Sequence, residues 1–328
     1  ISLLYQKRVI MIHIFLLFLG CSSQEFAATP EYAASSKIPL RIGWQQTWAT
    51  QGQLAVILQE STILQDLGFA PTFVGFSYGA PLNEAALAGE VDVLFTADQP
   101  ALALCNRDSK WKMIGRLMYN RVGTFVSVSS PIQSIQELHK KSVAIPFGAA
   151  AHRETLAAMK QNGLNPQKDI TAVNMGIKDI ATMVVGDAWN TIDAASAWDP
   201  VYANLETKKL VRTLAQGTVT SVVVMNQRYF STYPDSPTRF MEGLEFAYKE
   251  YKSDTNRAND RFIKVSNLSF SSESLDLAAS VEPNLRPNES ISVTLSDSDK
   301  KNIQNAADFM NSAGLLPQRL DSSTCFWK

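Results

Sequence analysis

Apolar and polar positions alternate along the chain in a way that predicts strands and helices in turn from residue 38 onward. Short apolar runs bounded by turn residues predict strands at 38–42, 71–76, 91–95 and 112–117. Apolar residues at helical spacing predict the intervening helices at 51–67, 81–88 and 99–105. Strands separated by helices predict an α/β fold with a mostly parallel, helix-covered sheet.

Two β-branched runs, TFVSV at 124–128 and SVVVM at 221–225, break this alternation because no crossover helix follows either of them. The residues between the two runs repeat the strand–helix alternation on their own. We therefore predict two α/β lobes that are joined by these two β crossings. Lobe I comprises 38–128 and 219–328, and lobe II comprises 129–218.

The C-terminal part changes to a helical pattern. Apolar stripes at 240–251, 272–279 and 298–312 predict helices that wrap back over lobe I. Ligands of open α/β sheets bind beyond the carboxyl ends of the strands, so two facing lobes predict a single cleft between them. Closure of the lobes around a ligand by a hinge would follow from this arrangement.

The N-terminus has the pattern of an export signal. A basic pair precedes an apolar run at 9–19, which is short for a membrane span. The LFLGC that ends this run resembles a bacterial lipobox, which predicts residues 1–21 as a signal peptide with lipidation of Cys21. A plain signal peptide cut after later alanines is the alternative. The Ser-, Ala- and Pro-rich stretch 22–37 predicts a flexible tether.

Composition and charge exclude several classes of protein. The formal net charge is −1, with 30 Lys and Arg against 31 Asp and Glu, so no basic field exists to attract nucleic acid. No metal or cofactor motif occurs, and we expect no cofactor.

Export permits a disulfide between Cys105 and Cys325. The ALALC context favours instead a buried helical Cys105, with Cys325 on a loose tail.

The stretch AIPFGAAAHRETL at 144–156 reads as a strand, a glycine-containing loop and the start of a helix near Ala150. The first amide groups of a helix have no intrahelical partner and favour a negative ligand group. Gly148, Ala149 and Ala150 would let a ligand approach the backbone, and His152 either caps or contacts it. The alternative is that the alanines simply start the helix early.

Four stretches resemble a family of bacterial extracytoplasmic solute-binding proteins of ABC importers, the group that binds nitrate, taurine, aliphatic sulfonates and thiamine-pyrimidine precursors. These stretches are 42–54, 75–102, 134–152 and 193–205. The resemblance implies a periplasmic binding protein type II architecture, an ABC permease as partner, a monomer and no enzymatic activity. Sulfonate-binding members typically carry Ser or Thr at positions 149–151, where this chain has alanine. That difference favours a carboxylate, a smaller polar group or an uncharged ring.

The resemblance places the WQQTW loop, directly after the first strand, in the cleft. Trp44, Gln45, Gln46 and Trp48 would form an apolar wall with hydrogen-bond donors and acceptors, as small-molecule pockets usually have. Trp also offers a face to a cation or an aromatic ring. The alternative is that one of the two tryptophans packs into the core.

Aromatic and acidic residues complete the predicted site. The resemblance puts Trp198 at the cleft, and Tyr78 in FSYGAP is a further candidate. Asp98 and Asp199 would bind an ammonium or ring N–H group of a ligand. Both precede a proline near a helix start, so helix capping is the alternative role for each.

A hydrolase is the main enzymatic alternative, because GFSYG at 75–79 matches the G-x-S-x-G pattern with Ser77 as nucleophile. The predicted helix starts only at 81, which loosens the required sharp turn. An enzyme of the thiamine-pyrimidine type is a further alternative, but its cysteine-rich iron site has no counterpart in this sequence. A ligand-sensing lipoprotein of the same fold, not coupled to transport, is the other alternative.

Overall fold

The computed structural model describes residues 37–267 and 269–328. Eight strands form one mixed sheet: β1 Ile38–Gln45, β2 Phe69–Phe76, β3 Val93–Ala97, β4 Trp111–Ser127, β5 Lys141–Ile145, β6 Ile170–Asn174, β7 Ala194–Trp198 and β8 Val211–Asn226. The helices before β8 are α1 Gln51–Glu60, α2 Ile63–Asp66, α3 Gly79–Leu87, α4 Asp98–Arg107, α5 Ala150–Gln161, α6 Ile177–Val185 and α7 Val201–Thr207. After β8 come α8 Gln227–Thr232, α9 Ser236–Ser253, α10 Thr255–Ser266, α11 Ser272–Ala279 and α12 Asp297–Ser312.

The sheet order β2-β1-β3-β8-β4-β7-β5-β6 divides the strands into two groups on either side of a central pair. Strands β1 to β3 are parallel to one another and form the first half, and β5 to β7 are likewise parallel and form the second half. The central antiparallel pair, β4 and β8, is called the crossing ribbon below. The predicted α/β fold with two groups of parallel strands and two β crossings is confirmed.

The crossing ribbon is longer than the sequence pattern predicted. β4 and β8 have 17 and 16 residues and pair along their whole length. Within the ribbon, 221–225 pairs with β3 in the first half, and 122–125 pairs with β7 in the second half. The two predicted runs therefore each belong to one half, and the ribbon between them connects the halves. The exact lobe boundaries remain a prediction.

Buried polar residues explain why the sequence pattern predicts separate strands at 112–117 and 124–128, where the structure has the continuous strand β4. Arg116, Asn120 and Arg121 interrupt the apolar pattern of β4, yet all three are buried. Arg116 forms an ion pair with Glu282 at 2.8 Å, and this partner lies 166 residues away. A period-2 pattern reports which face is apolar, and it cannot reveal polar positions that are paired inside the protein.

Of the helices after the ribbon, α9, α10 and α12 pack on helices of the first half, as predicted for α9 and α12, whereas α11 packs chiefly on α7 of the second half, which corrects the prediction for 272–279. α9, α11 and α12 contain the three predicted apolar stripes, and Ser296 and Asp299 form a capping box at the start of α12. α10 was missed. Its buried Phe262 packs so closely on Gly52 of α1 that a Cβ there would overlap the ring.

The C-terminal cysteine is bonded, which corrects the favoured expectation of a loose tail. Cys105 in α4 and Cys325 form a disulfide with a Cα–Cα distance of 5.9 Å. Cys325 is fully buried, and the amide of Trp327 donates to the carbonyl of Met113 at 3.0 Å. The tail therefore packs as part of the first half, under the helix that follows β3.

The predictions for the N-terminus, which are the signal peptide 1–21, the lipidation of Cys21 and the tether 22–36, lie outside the described residues. Lys37, the last residue of the predicted tether, immediately precedes β1. Among residues 37–267 and 269–328, no helix has the length and hydropathy of a membrane span. The same residues contain no cluster of potential metal ligands.

Candidate functional site

The carboxyl ends of strands from both halves converge on one small pocket beside the crossing ribbon. β1 and β3 lead into it from the first half, and β5 and β7 lead into it from the second. This is where open α/β sheets bind ligands. The pocket is lined by Gln45, Trp48, Gly79, Ala97, Pro100, Asn120, Val122, Ala149, Ala150, Ala151 and Trp198.

Four N–H groups at this pocket have no hydrogen-bond partner within the part of the chain that the structure describes. Two are the indole Nε1 groups of Trp48 and Trp198, whose residues are only 2% and 5% exposed. The other two are the first amides of α5, on Ala150 and Ala151, which precede the intrahelical bonds and donate to no turn carbonyl of the described residues; the next amide, of His152, donates to the carbonyl of Ala149. Buried donors are nearly always paired, so four together indicate a place for an acceptor group.

The walls of the pocket are small and apolar. Methyl groups of the alanines after β3 and β5, together with Pro100 and Val122, surround the donors. The cavity volume is about 20 Å³, which is close to the space of one water molecule. No ionised side chain lines it among the described residues. The pocket therefore offers neutral donors in an apolar surrounding, a combination suited to an oxyanion or carbonyl group.

Five of the twelve predicted ligand-binding residues line the pocket: Gln45, Trp48, Ala149, Ala150 and Trp198. Two more lie next to it. The ring of Tyr78 is 6.5 Å from that of Trp198, and Gly148, at φ +81°, faces Ala80 of the first half. A Cβ on Gly148 would lie 3.1 Å from the Ala80 Cβ, so this glycine allows the two halves to approach each other closely.

Three predicted residues point elsewhere. Trp44 is 3% exposed and packs in the hydrophobic core, which was the alternative role given to one of the two tryptophans. Gln46 is exposed and lies over Gly75 of β2. His152 is buried and stacks on Phe147, with 4.5 Å between the ring centroids.

Both predicted carboxylates are held by arginines. Asp98 bonds to Arg153 at 2.6 Å, and Asp199 bonds to Arg121 at 2.8 Å. Arg121 also reaches Glu206 of α7, at 2.8 Å. Burial alone would lower the pKa of Arg121, but the hydrogen bonds and charges of its two carboxylates outweigh that effect and raise it. Neither aspartate has a free oxygen pair to offer a ligand in this conformation.

Six lining residues were missed by the sequence prediction: Gly79, Ala97, Pro100, Asn120, Val122 and Ala151. Asn120 is the most polar of these. Its side-chain oxygen accepts a bond from the Ser221 hydroxyl at 2.7 Å, which leaves its amide nitrogen as the available donor. The first three could have been found from the rule that the residues just after a strand line the site. The two ribbon residues had no such signal.

The family model described as NMT1/THI5 like matches residues 79–258, which is more than half of the chain. The chain belongs to this NMT1/THI5-like family. The matched region includes α3, the crossing ribbon and the whole second half, so it contains most of the pocket lining. No curated protein sequence gives a significant match.

Solved structures of binding proteins share the fold of this NMT1/THI5-like chain. The alkanesulfonate-binding protein SsuA of Xanthomonas axonopodis pv. citri, bound to MOPS, has a TM-score of 0.75 at 23% identity, covering 90% of this chain and 99% of that one. The periplasmic aliphatic sulphonate binding protein SsuA of Escherichia coli gives 0.73 at 21%, covering 89% and 98%. The periplasmic nitrate-binding protein NrtA of Synechocystis PCC 6803 gives 0.65 at 12%, covering 88% and 84%.

The G-x-S-x-G sequence of this NMT1/THI5-like chain does not form a catalytic triad among the described residues. The carbonyl of Ser77 accepts a bond from the Thr47 hydroxyl, and the serine itself is exposed. His139 lies 3.8 Å from Asp169 instead, and His152 stacks on Phe147. α3 begins at Gly79, earlier than predicted, but no histidine hydrogen-bonds to Ser77 in the described part.

Acid is expected to destabilise the protein through His152. Burial lowers the pKa of His152 to about 4, from an unfolded value of 6.5. Between these values the unfolded chain binds the proton and the folded chain does not, so stability falls as the pH falls through this window. From pH 7 to pH 5 the loss should be about 2 kcal/mol. Urea unfolding of wild type and of His152→Asn at both pH values measures it.

His139→Asn is the control for this experiment, because His139 is exposed. The difference between the pH values should shrink by about 2 kcal/mol in His152→Asn and stay at the wild-type value in the control. Equal pH dependence in all three proteins would contradict the assignment to His152.

Proposed function

We propose that this protein is the solute-binding component of an ABC importer, which captures a small polar organic solute between its two halves and delivers it to a permease. One observation carries the proposal. Four residues that carry N–H groups without a partner among the described residues line one pocket at the strand ends: Trp48 in the first half, and Ala150, Ala151 and Trp198 in the second. A ligand acceptor that satisfied all of them would bind both halves at once.

The chemistry of the pocket limits the ligand. Neutral donors and alanine methyls suit the oxyanion or carbonyl end of a sulfonate, a taurine-like molecule, a carboxylate or a heteroaromatic ring. The helix N-terminus at Ala150 favours negative charge by about 0.3–1 kcal/mol, and by more where it is buried. Tyr78 and Trp198 provide aromatic surface next to the donors for the remainder of the solute.

Binding requires the halves to separate and close again. A cavity of about 20 Å³ cannot admit a solute of several heavy atoms, whereas typical small-molecule sites occupy roughly 300–1,000 Å³. The crossing ribbon is the connection about which the halves would rotate. A solute that contacts both halves only in the closed state shifts the population toward that state, and the permease would recognise the closed shape.

The similar solved structures support this proposal, because two are named as sulfonate-binding proteins and one as a nitrate-binding protein. Their names concern those proteins, and the ligand of this chain is inferred from its own pocket. Export to the periplasm or cell surface, an anchor on Cys21 and a monomeric state complete the proposal. They rest on the sequence pattern of the N-terminus and on the family resemblance.

The decisive experiment is a thermal-shift screen of the purified protein against sulfonates, aminosulfonates, carboxylates and heteroaromatic acids, followed by calorimetry on the compounds that stabilise it. Trp198→Phe removes the indole N–H and keeps an aromatic ring. We expect this change to weaken binding about 10- to 100-fold, because one bond from a buried donor to a charged acceptor is lost. The melting temperature without solute should fall by only a few degrees, because phenylalanine keeps most of the buried packing of Trp198.

Trp327→Phe is the matched control, since Trp327 is a surface tryptophan near the C-terminus that does not line the pocket. Its affinity should equal that of wild type. Unchanged affinity in Trp198→Phe would place the ligand elsewhere. A screen in which no compound raises the melting temperature would count against a solute-binding role.

A further inference from the structure

A buried ion pair links the two halves near the starts of two helices that contribute to the pocket lining. Asp98 is the first residue of α4, which follows β3 in the first half, and Arg153 is the fourth residue of α5, in the second half. The Asp98 Oδ2 and Arg153 Nη2 atoms are 2.6 Å apart, and the two side chains are only 4% and 10% exposed. The pair therefore joins the two helices whose first turns line the pocket.

A second bond reinforces this link. The amide of Arg153 donates to the side-chain oxygen of Gln99, the next residue of α4, at 3.1 Å. The backbone of α5 is thereby fixed to α4 just after the amides of Ala150 and Ala151, which carry the unpaired N–H groups. The position of these two donors relative to the first half thus depends on the contacts of Arg153.

Arg153 has another carboxylate partner within its own helix. Glu154 accepts a bond from Nη1 of Arg153, while Nη2 bonds to Asp98. The Glu154 carboxylate lies against the crossing ribbon, where a Cβ on Gly217 would overlap it. One guanidinium is therefore shared between a carboxylate of the first half and a carboxylate that stays with α5.

We propose that Asp98, Arg153 and Glu154 form a closure latch, in which Arg153 bonds to both carboxylates when the halves are closed and keeps only Glu154 when they open. The latch rests on the proposed solute-binding function and sets how readily the cleft opens. Arg153 is a positioning residue, because it does not line the pocket and acts by holding the first turn of α5 in place.

The arrangement makes opening reversible. Removing one partner of a buried ion pair is strongly unfavourable, because the other charge is left without compensation. In this protein, both charges keep a compensating partner when the halves separate. Arg153 retains Glu154, and Asp98 retains the amide of Gln99, which donates to its Oδ1 at 2.6 Å, together with the favourable dipole at the start of α4.

The test compares substitutions of the two carboxylates in the purified protein without solute. Asp98→Asn removes the charge that only the closed state uses, so we expect a larger radius of gyration by small-angle X-ray scattering. Amide exchange in the peptide that contains 147–153 should become faster by on the order of tenfold. Glu154→Gln removes the partner that the open state needs, so it should leave the radius of gyration unchanged and slow that exchange.

Asp92→Asn is the charge-matched control, because Asp92 pairs with Arg41 at 2.7 Å entirely within the first half. It should scatter and exchange like wild type. Arg153→Lys should behave like Asp98→Asn, because a lysine ammonium cannot bridge two carboxylates as the planar guanidinium does. It replaces Asp98→Asn in the test if the Asp98→Asn protein folds poorly.

Opposite effects of the two carboxylate substitutions are the signature of the latch. Wild-type scattering and exchange in Asp98→Asn, or equal opening in Asp98→Asn and Glu154→Gln, would overturn it. A lower melting temperature with no change in radius would also overturn it, since that result indicates a purely structural pair. Neither measurement uses a solute, so its result is independent of the binding experiments. The latch can therefore be wrong while the proposed binding function is right, and the binding function can be wrong while the latch is right.

Discussion

Arg121→Met is expected to lower the free energy of unfolding by about 3–5 kcal/mol, the usual effect of removing one partner of a buried ion pair. Arg121 is 7% exposed at the side chain and bonds to Asp199, which is fully buried, and to Glu206. Without the guanidinium, the Asp199 carboxylate keeps only the amide of Ala203, at 2.9 Å, as a strong donor. Methionine fills a similar volume, so the loss reports the unpaired charge more than a cavity.

Urea unfolding followed by circular dichroism measures this effect. The double variant Arg121→Met with Asp199→Asn should recover a large part of the loss, because the remaining group is no longer charged. Arg41→Met is the control, since Arg41 is 45% exposed at the side chain and its pair with Asp92 should contribute less than about 1 kcal/mol. Equal losses in Arg121→Met and Arg41→Met would contradict a special role for the buried pair.

This arginine also explains why the predicted ligand contact at Asp199 is absent from the pocket. Arg121 lies in the crossing ribbon, and its bond to Asp199 fixes the start of the loop that follows Trp198. The carbonyl of Asp199 accepts from the amide of Ala49, beside Trp48. The Asp199 residue thus helps to position the indole groups of Trp48 and Trp198. Its carboxylate bonds to Arg121 of the crossing ribbon and is not free to bond to a ligand.

Much of the site could be predicted because it follows strand ends, which hydrophobic patterns reveal. The loop before α5 is predicted in this way and supplies Ala149 and Ala150, whereas the family resemblance places the loop after β1, with Gln45 and Trp48, in the cleft. Trp198, which the resemblance places at the cleft, is the last residue of β7. In an α/β fold, knowing where each strand ends is sufficient to know which residues share the ligand-binding edge.

The remaining features depend on partners far away in the sequence. Arg153 and Asp98 are 55 residues apart, and nothing in either local pattern indicates that they meet. The same holds for the ribbon residues Asn120 and Val122, which line the pocket only because the ribbon passes between the halves. Periodicity reports the face on which a residue lies, and it carries no information about the residue opposite. Pairs of residues that are distant in the sequence can therefore be identified only from the structure.

Loss of the Cys105–Cys325 disulfide is expected to lower the free energy of unfolding by about 2–4 kcal/mol. The bond closes a loop across a sequence separation of 220 residues, so in the chain-entropy account it strongly restricts the unfolded chain. Reduction of wild type and the double variant Cys105→Ser with Cys325→Ser should give the same loss in urea unfolding. The double variant should be insensitive to reductant, and a stability loss below about 1 kcal/mol in either protein would contradict this expectation.

Solute binding should survive the loss of this bond, because the two ends of α4 have separate roles. Cys105 lies seven residues after Asp98, about 10 Å along the helix axis, and fixes the end of α4 remote from the pocket. The end at the pocket is held by Arg153 and by the packing of Pro100 against Gly79. If reduction weakened binding as much as Trp198→Phe does, α4 would have to move as a whole, and its two ends would not be independently anchored.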